Sequence, residues 1–272
     1  MKFKTRLLIA LLMCGAALTY TACKKAASNS NGPTLSPQQV SSQVALNLAQ
    51  SLYNGFGGLD LNNGITGGLS AYVPTNKHIK LGDINDPFCG FGIDTTINIT
   101  SNDDGVQAAV SGHIAFAFTC TNGVLSGYTT NDNLNVSEST TDFSVKLNLT
   151  ENVSVVALTP SNDESKFSIN GTVNSDASYD YKTGSKGSGT ALFDYNFKQV
   201  IVDPSADADI ISGSADFTTK GTGSNGVWNY TGTVTFLGGH KAKITINGAN
   251  YTVDLTTGAV SLHKSLGTQL SK

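Results

Sequence analysis

From about Ile93 onward, apolar residues recur at alternate positions along the chain. Ile93, Ile97 and Ile99 alternate with polar residues, as do Val110, Ile114, Phe116 and Phe118. Phe143, Val145, Leu147 and Leu149 continue the pattern, followed by Phe167, Ile169 and Val173. It returns in Trp228, Tyr230, Val234 and Phe236, in Ala242, Ile244 and Ile246, and in Tyr251, Val253 and Leu255. A period of two with one apolar face predicts antiparallel strands that cover a core on one side. No helical period intervenes, which excludes alternating βαβ units.

One segment breaks the rule. In SPQQVSSQVALNLAQSLYNGF, Val40, Val44, Leu48 and Leu52 recur every fourth residue and predict an amphipathic helix over about 37–54. Ser36 is a suitable N-cap, Pro37 suits the first helical position, and Gln39 completes a capping box. Gly55 is placed to end the helix in a left-handed turn.

The turns can be tested for register, because directly opposed residues must share a face. A two-residue turn at Asn247-Gly248 opposes Ile244 to Tyr251 and Ala242 to Val253, and all four are apolar. A turn at Asn225-Gly226 opposes Phe217 to Val234 and Ala215 to Phe236, again consistent. A turn at Asn170-Gly171 would set apolar against polar, so Gly171 is expected inside a strand. Gly112, Gly171, Gly213 and Gly232 all fall on the apolar parity of their strands. Inward glycines mark bends and close backbone approach. The expected fold is therefore all-β: a large curved antiparallel sheet, a sandwich or partly open barrel, with one N-terminal helix.

Ahead of the helix the composition changes twice. Lys2, Lys4 and Arg6 precede an apolar run from Leu7 to Leu18, shorter than the roughly 20 residues a membrane-spanning helix needs. The run ends in Tyr20-Thr21-Ala22-Cys23, followed by Lys24 and Lys25. Tyr20 three residues before the cut suits ordinary signal peptidase poorly. The stretch resembles a lipobox, matching at Ala22 and Cys23 and departing from the usual pattern at Tyr20 and Thr21. Looser boxes followed by Cys-Lys-Lys are similar to those of Bacteroidota-type outer-membrane lipoproteins. The resemblance implies that residues 1–22 are a signal peptide and that Cys23 carries the lipid. An ordinary secreted protein cut at an unusual site is the alternative. Residues 23–35 are small and polar and are expected to form a flexible spacer, leaving 36–272 as a single domain of helix plus β-sheet.

Charge narrows the partners. Three of the 17 basic residues leave with residues 1–22 while all 20 acidic ones remain, so the mature chain is more acidic than the full chain's −3. Arg6 is the only arginine. A mature domain without a guanidinium lacks the usual bidentate grip on phosphate, which with the acidic balance argues against nucleic acid. Contact with a membrane is expected through the lipid anchor only, and a protein or glycan partner is not identified. Only 14% of residues are charged, against about 25% in average globular proteins. The difference is made up largely by hydroxyls and amides.

Candidate chemistry is sparse. His78, His113, His240 and His263 share no ligand spacing, and neither a nucleophile elbow nor a P-loop occurs. Asp203, Asp207 and Asp209 in DPSADAD offer hard oxygen ligands for calcium, yet they lack the alternation and closing Glu of an EF-hand. A solvated turn at the Asp-Pro accounts for them as well. Asp94-Thr95-Thr96 resembles a bacterial O-glycosylation site over three residues. For sugar stacking, Trp228 falls on the core parity, leaving only Tyr72 and Tyr128 as free aromatics. No cofactor and no catalytic motif emerge. The expectation is a non-enzymatic, lipid-anchored envelope protein with a binding or structural domain. A carrier of a lipid or hydrophobic ligand in a curved-sheet cavity is the alternative, and an enzyme with scattered carboxylates a further one. A transmembrane barrel fits the low aromatic content less well.

Cys89 and Cys120 are expected to form a disulfide, since an exported protein meets an oxidising compartment. A two-residue turn at Asp104-Gly105 opposes Ile99 to Val110, Ile97 to Gly112 and Ile93 to Phe116. The same register opposes Cys89 to Cys120. A four-residue loop would keep the faces but move the cysteines to diagonal positions.

Overall fold

In the computed structural model, eleven strands among the described residues pair strictly in chain order to form one antiparallel sheet. The structure describes residues 32–53, 88–103, 105–162, 165–183, 187–205 and 208–262. The strands are β1 Gly92–Asp103, β2 Val106–Thr121, β3 Val124–Ser139, β4 Phe143–Ala157, β5 Phe167–Tyr181 and β6 Ser188–Asp203. Then come β7 Asp209–Gly223, β8 Gly226–Gly238, β9 Lys241–Ile246, β10 Ala249–Asp254 and β11 Val260–Leu262. The order runs from β1 to β11 without closing, so the architecture is a single curved, open sheet rather than two stacked ones.

The curvature has identifiable causes. Register shifts at Thr119/Cys120, Ile169/Gly171 and Lys198/Ile201 mark bulges, which increase local twist. Gly171 lies inside β5 with φ +128°, and a Cβ there would run into the backbone of Asn152 and Val153 on the neighbouring β4. Only glycine fits that approach. Elsewhere aromatic rings lie over glycines directly across a ladder: Tyr179 over Gly189, Trp228 over Gly221 and Phe217 over Gly232. Each ring fills the space that a side chain would otherwise occupy.

Helix α1, Pro37–Tyr53, packs against β9, β10 and β11. Its capping box forms as predicted: the Ser36 N–H donates to Gln39 Oε1 at 2.9 Å, and the Gln39 N–H donates to Ser36 Oγ at 3.4 Å. Val40, Val44, Leu48 and Leu52 are completely buried. Burying each such side chain is worth roughly 1.5–3 kcal/mol. The Tyr195 hydroxyl donates to the Val44 carbonyl at 3.4 Å, and the Ser42 hydroxyl donates to the Gly258 carbonyl at 2.7 Å. Gly55 lies outside the described residues.

Two sequence expectations need correction. The β7–β8 turn falls on Ser224-Asn225, not Asn225-Gly226, so Ala215 pairs with Val234 and Phe217 with Gly232. The two-residue slip preserves every face, which is why alternation could not detect it. Gly226 is instead a strand residue, placed where a Cβ would strike the Pro33 carbonyl. The second correction follows from the first. Pro33–Leu35, expected in the spacer, join the fold: Leu35 N–H donates to the Val227 carbonyl at 2.9 Å, and Val227 N–H to Pro33 at 3.0 Å. Leu35 is buried, and its carbonyl accepts the Tyr230 hydroxyl at 2.7 Å.

The outer face is polar. Asn131, Asn133 and Asn135 on β3 are exposed, as are Lys146, Asn148, Thr150 and Asn152 on β4 and Asp194, Asn196 and Lys198 on β6. A transmembrane barrel carries an apolar band there instead. Among the described residues no helix is long and apolar enough to cross a membrane.

Candidate functional site

The inner face of β3 and β4 is where the apolar pattern is broken. β3 turns Tyr128, Thr130, Asp132 and Leu134 inward, and β4 turns Leu149, Glu151, Val153 and Val155 inward. One ladder row runs Ile114, Asp132, Glu151, Val173 and Tyr195 from β2 to β6. Two carboxyl groups therefore stand side by side in a row of aliphatic and aromatic side chains. Glu151 is 0% exposed and Asp132 4%.

Their hydrogen bonding is incomplete. Asp132 Oδ1 accepts the Ala115 N–H at 3.0 Å. Neither oxygen of Glu151 has a hydrogen-bond partner, so the two acids do not bond each other. Thr130 Oγ1, two residues from Asp132 on the same face, is also buried and unpaired. Burial pushes the Asp132 carboxyl up to about 6, against the pull of the Ala115 N–H and the nearby His113. Burial, reinforced by Asp132, holds Glu151 well above the usual carboxylate range. A buried polar group without a partner costs roughly 1–3 kcal/mol. Apolar residues of similar size would serve folding as well or better.

This pair escaped the sequence reading, although a signal was present. The apolar parity of Phe143, Val145, Leu147 and Leu149 runs directly onto Glu151 before resuming at Val153. β3 was harder to see, because its inward row is largely polar. Tyr128, expected to be a free aromatic, is buried and stacked on Phe116 at 5.2 Å between ring centroids.

The disulfide between Cys89 and Cys120 is present, with Cα atoms 5.6 Å apart. The β1–β2 register is the one expected, opposing Ile99 to Val110, Ile97 to Gly112 and Ile93 to Phe116. Cys89 lies in a turn just before β1 rather than in the ladder itself. Phe88 beside it packs edge-on to Phe118. The bond therefore staples the chain entering the sheet.

The acidic loop is divided among protein partners. Asp203 accepts the Ser205 N–H and hydroxyl at 3.1 and 2.6 Å and pairs with Lys166 at 3.1 Å. These contacts, the Ser205 hydroxyl foremost, hold its carboxyl below the usual range. Asp209 accepts the N–H groups of Gly239 and His240 at 2.6 and 2.9 Å, fastening the β8–β9 turn. Asp207 lies outside the described residues, as does Cys23. Among the described residues no group of three or more His, Cys, Asp or Glu side chains could hold a metal ion. Asp94 is exposed and contacts His113 at 2.8 Å.

Comparison with protein-family models, curated proteins and solved structures finds no match to this chain.

Proposed function

We propose that this is a lipid-anchored protein of the cell envelope, tethered to the outer membrane through Cys23, whose open sheet is a non-catalytic binding domain for a small apolar ligand. The observation that supports it is the unpartnered Glu151 beside Asp132, on a face where Ile114, Leu149, Val153 and Val173 surround them. A purely structural role gains nothing from such a pair, because it weakens the core it occupies. A ligand that supplies the missing donors removes that penalty and gains affinity from it. An enzyme would use the same two acids, but hydrolysis needs water at carboxyls buried among aliphatic side chains, and binding does not.

Native mass spectrometry of the full chain carrying Cys23→Ser tests the binding domain. A co-purified apolar molecule, lost after exchange into organic solvent, is the expected result. A protein that is empty and binds none of a panel of alkyl ligands overturns it. Fractionation tests the tether separately. Wild type should stay with membranes and carry acyl mass on Cys23, and Cys23→Ser should be released. Wild type without acyl mass refutes the anchor.

A further inference from the structure

The geometry points to a primary ammonium group on an apolar chain as the ligand's recognised feature, held by Asp132, Glu151 and Thr130. This inference rests on the binding-domain reading and names the ligand class for the same site.

Three residues offer unused acceptors on one patch of the inner face. Glu151 has both oxygens free, Asp132 has one oxygen held by the Ala115 N–H, and the Thr130 hydroxyl has no partner. Asp132 and Glu151 are direct cross-strand partners, and Thr130 lies one inward position along β3. A primary ammonium carries three N–H donors and no acceptor, so its needs match three acceptor side chains that share one patch of the inner face. Charge agrees as well. Two adjacent carboxyls in an apolar setting retain one proton between them, leaving a single negative charge for one cation. A charge-assisted hydrogen bond there is shorter and stronger than a neutral one.

The surroundings argue against a bare metal ion. Calcium takes six to eight oxygen ligands and magnesium a near-octahedral shell. Two carboxyls and the hydroxyls of Thr130 and of Ser175, which is buried opposite Leu149, fall short of either shell, and Ile114, Leu134, Leu149, Val153 and Val173 around them supply none. Those same side chains suit an alkyl tail. The strand order leaves β1 and β11 unpaired with each other, so seating a ligand on the inner face breaks no ladder between them.

Calorimetry at pH 7 on the full chain carrying Cys23→Ser tests this with four probes: octylamine, octanol, octanoate and octyltrimethylammonium. Octylamine should bind one to one and at least about tenfold more tightly than the other three. Glu151→Gln should lower octylamine affinity by about tenfold or more. Octanol binding as tightly as octylamine overturns the ammonium assignment while the apolar-ligand reading survives. Octyltrimethylammonium binding equally well overturns the three-donor geometry, since it has the charge without the N–H groups. In a separate titration with calcium chloride, saturable binding abolished by Glu151→Gln would overturn the ammonium assignment in favour of a metal. If none of the four alkyl probes binds, this inference and the binding-domain reading fall together. The wild-type ranking decides the matter even if the Gln variant does not fold.

Discussion

Asp132 and Glu151 face each other across the β3–β4 ladder, both buried, with no hydrogen bond between them. Folding therefore favours their neutral forms. Asp132 titrates near 3.8 in the unfolded chain and about 6 in the fold, and Glu151 is raised well above 4.5. Between these values the native state binds more protons than the unfolded one, so stability falls as pH rises. Asp254, held at about 2 chiefly by the Thr256 hydroxyl, acts in the opposite sense but only in strong acid. The melting temperature should drop by several degrees from pH 5 to pH 8. Glu151→Gln should flatten that slope and stabilise the protein at pH 8. A melting temperature that does not fall over this range would contradict the pair's burial.

Opening the Cys89–Cys120 bond releases a loop closed over a separation of 31 residues. On the loop-entropy model this costs roughly 3–4 kcal/mol. Cys89→Ser/Cys120→Ser should lower denaturant stability by that amount and increase proteolysis before β1. A double variant as stable as wild type would show that the closed loop contributes nothing.

Leu48 is fully buried on α1. Leu48→Ala should cost about 2–5 kcal/mol through lost contacts and the cavity left behind. Urea unfolding measures it, and a change below about half a kilocalorie per mole would mean the helix does not belong to the core.

Gly226 has φ +139° and lies against the Pro33 carbonyl. Gly226→Ala should destabilise by roughly 1–3 kcal/mol, because the new side chain meets both strain and backbone. It should also free residues 33–35 to proteolysis. Unchanged protection of that segment would separate it from β8.

Alternation and local capping are carried by neighbouring residues, so they were legible. The α1 capping box, the Asp104-Gly105 register with its disulfide and the Asn247-Gly248 hairpin all follow from spacing alone. The Asn225-Gly226 register did not. A slip of two residues leaves each side chain on its own face, and only the remote contact with Pro33 distinguishes the alternatives.

The amino-acid order by itself determined an all-β domain with one N-terminal helix and a stapled first hairpin, because periodicity and turn chemistry are local. Only the tertiary structure decided that the sheet stays open, that Pro33–Leu35 dock on β8, and that Asp132 and Glu151 meet. Parity shows that a carboxylate faces inward. What lies opposite it depends on the pairing of a strand whose own apolar signal is faint. Two acids 19 positions apart become neighbours through the β3–β4 ladder, and the absence of partners for Glu151 is a property of the packed core.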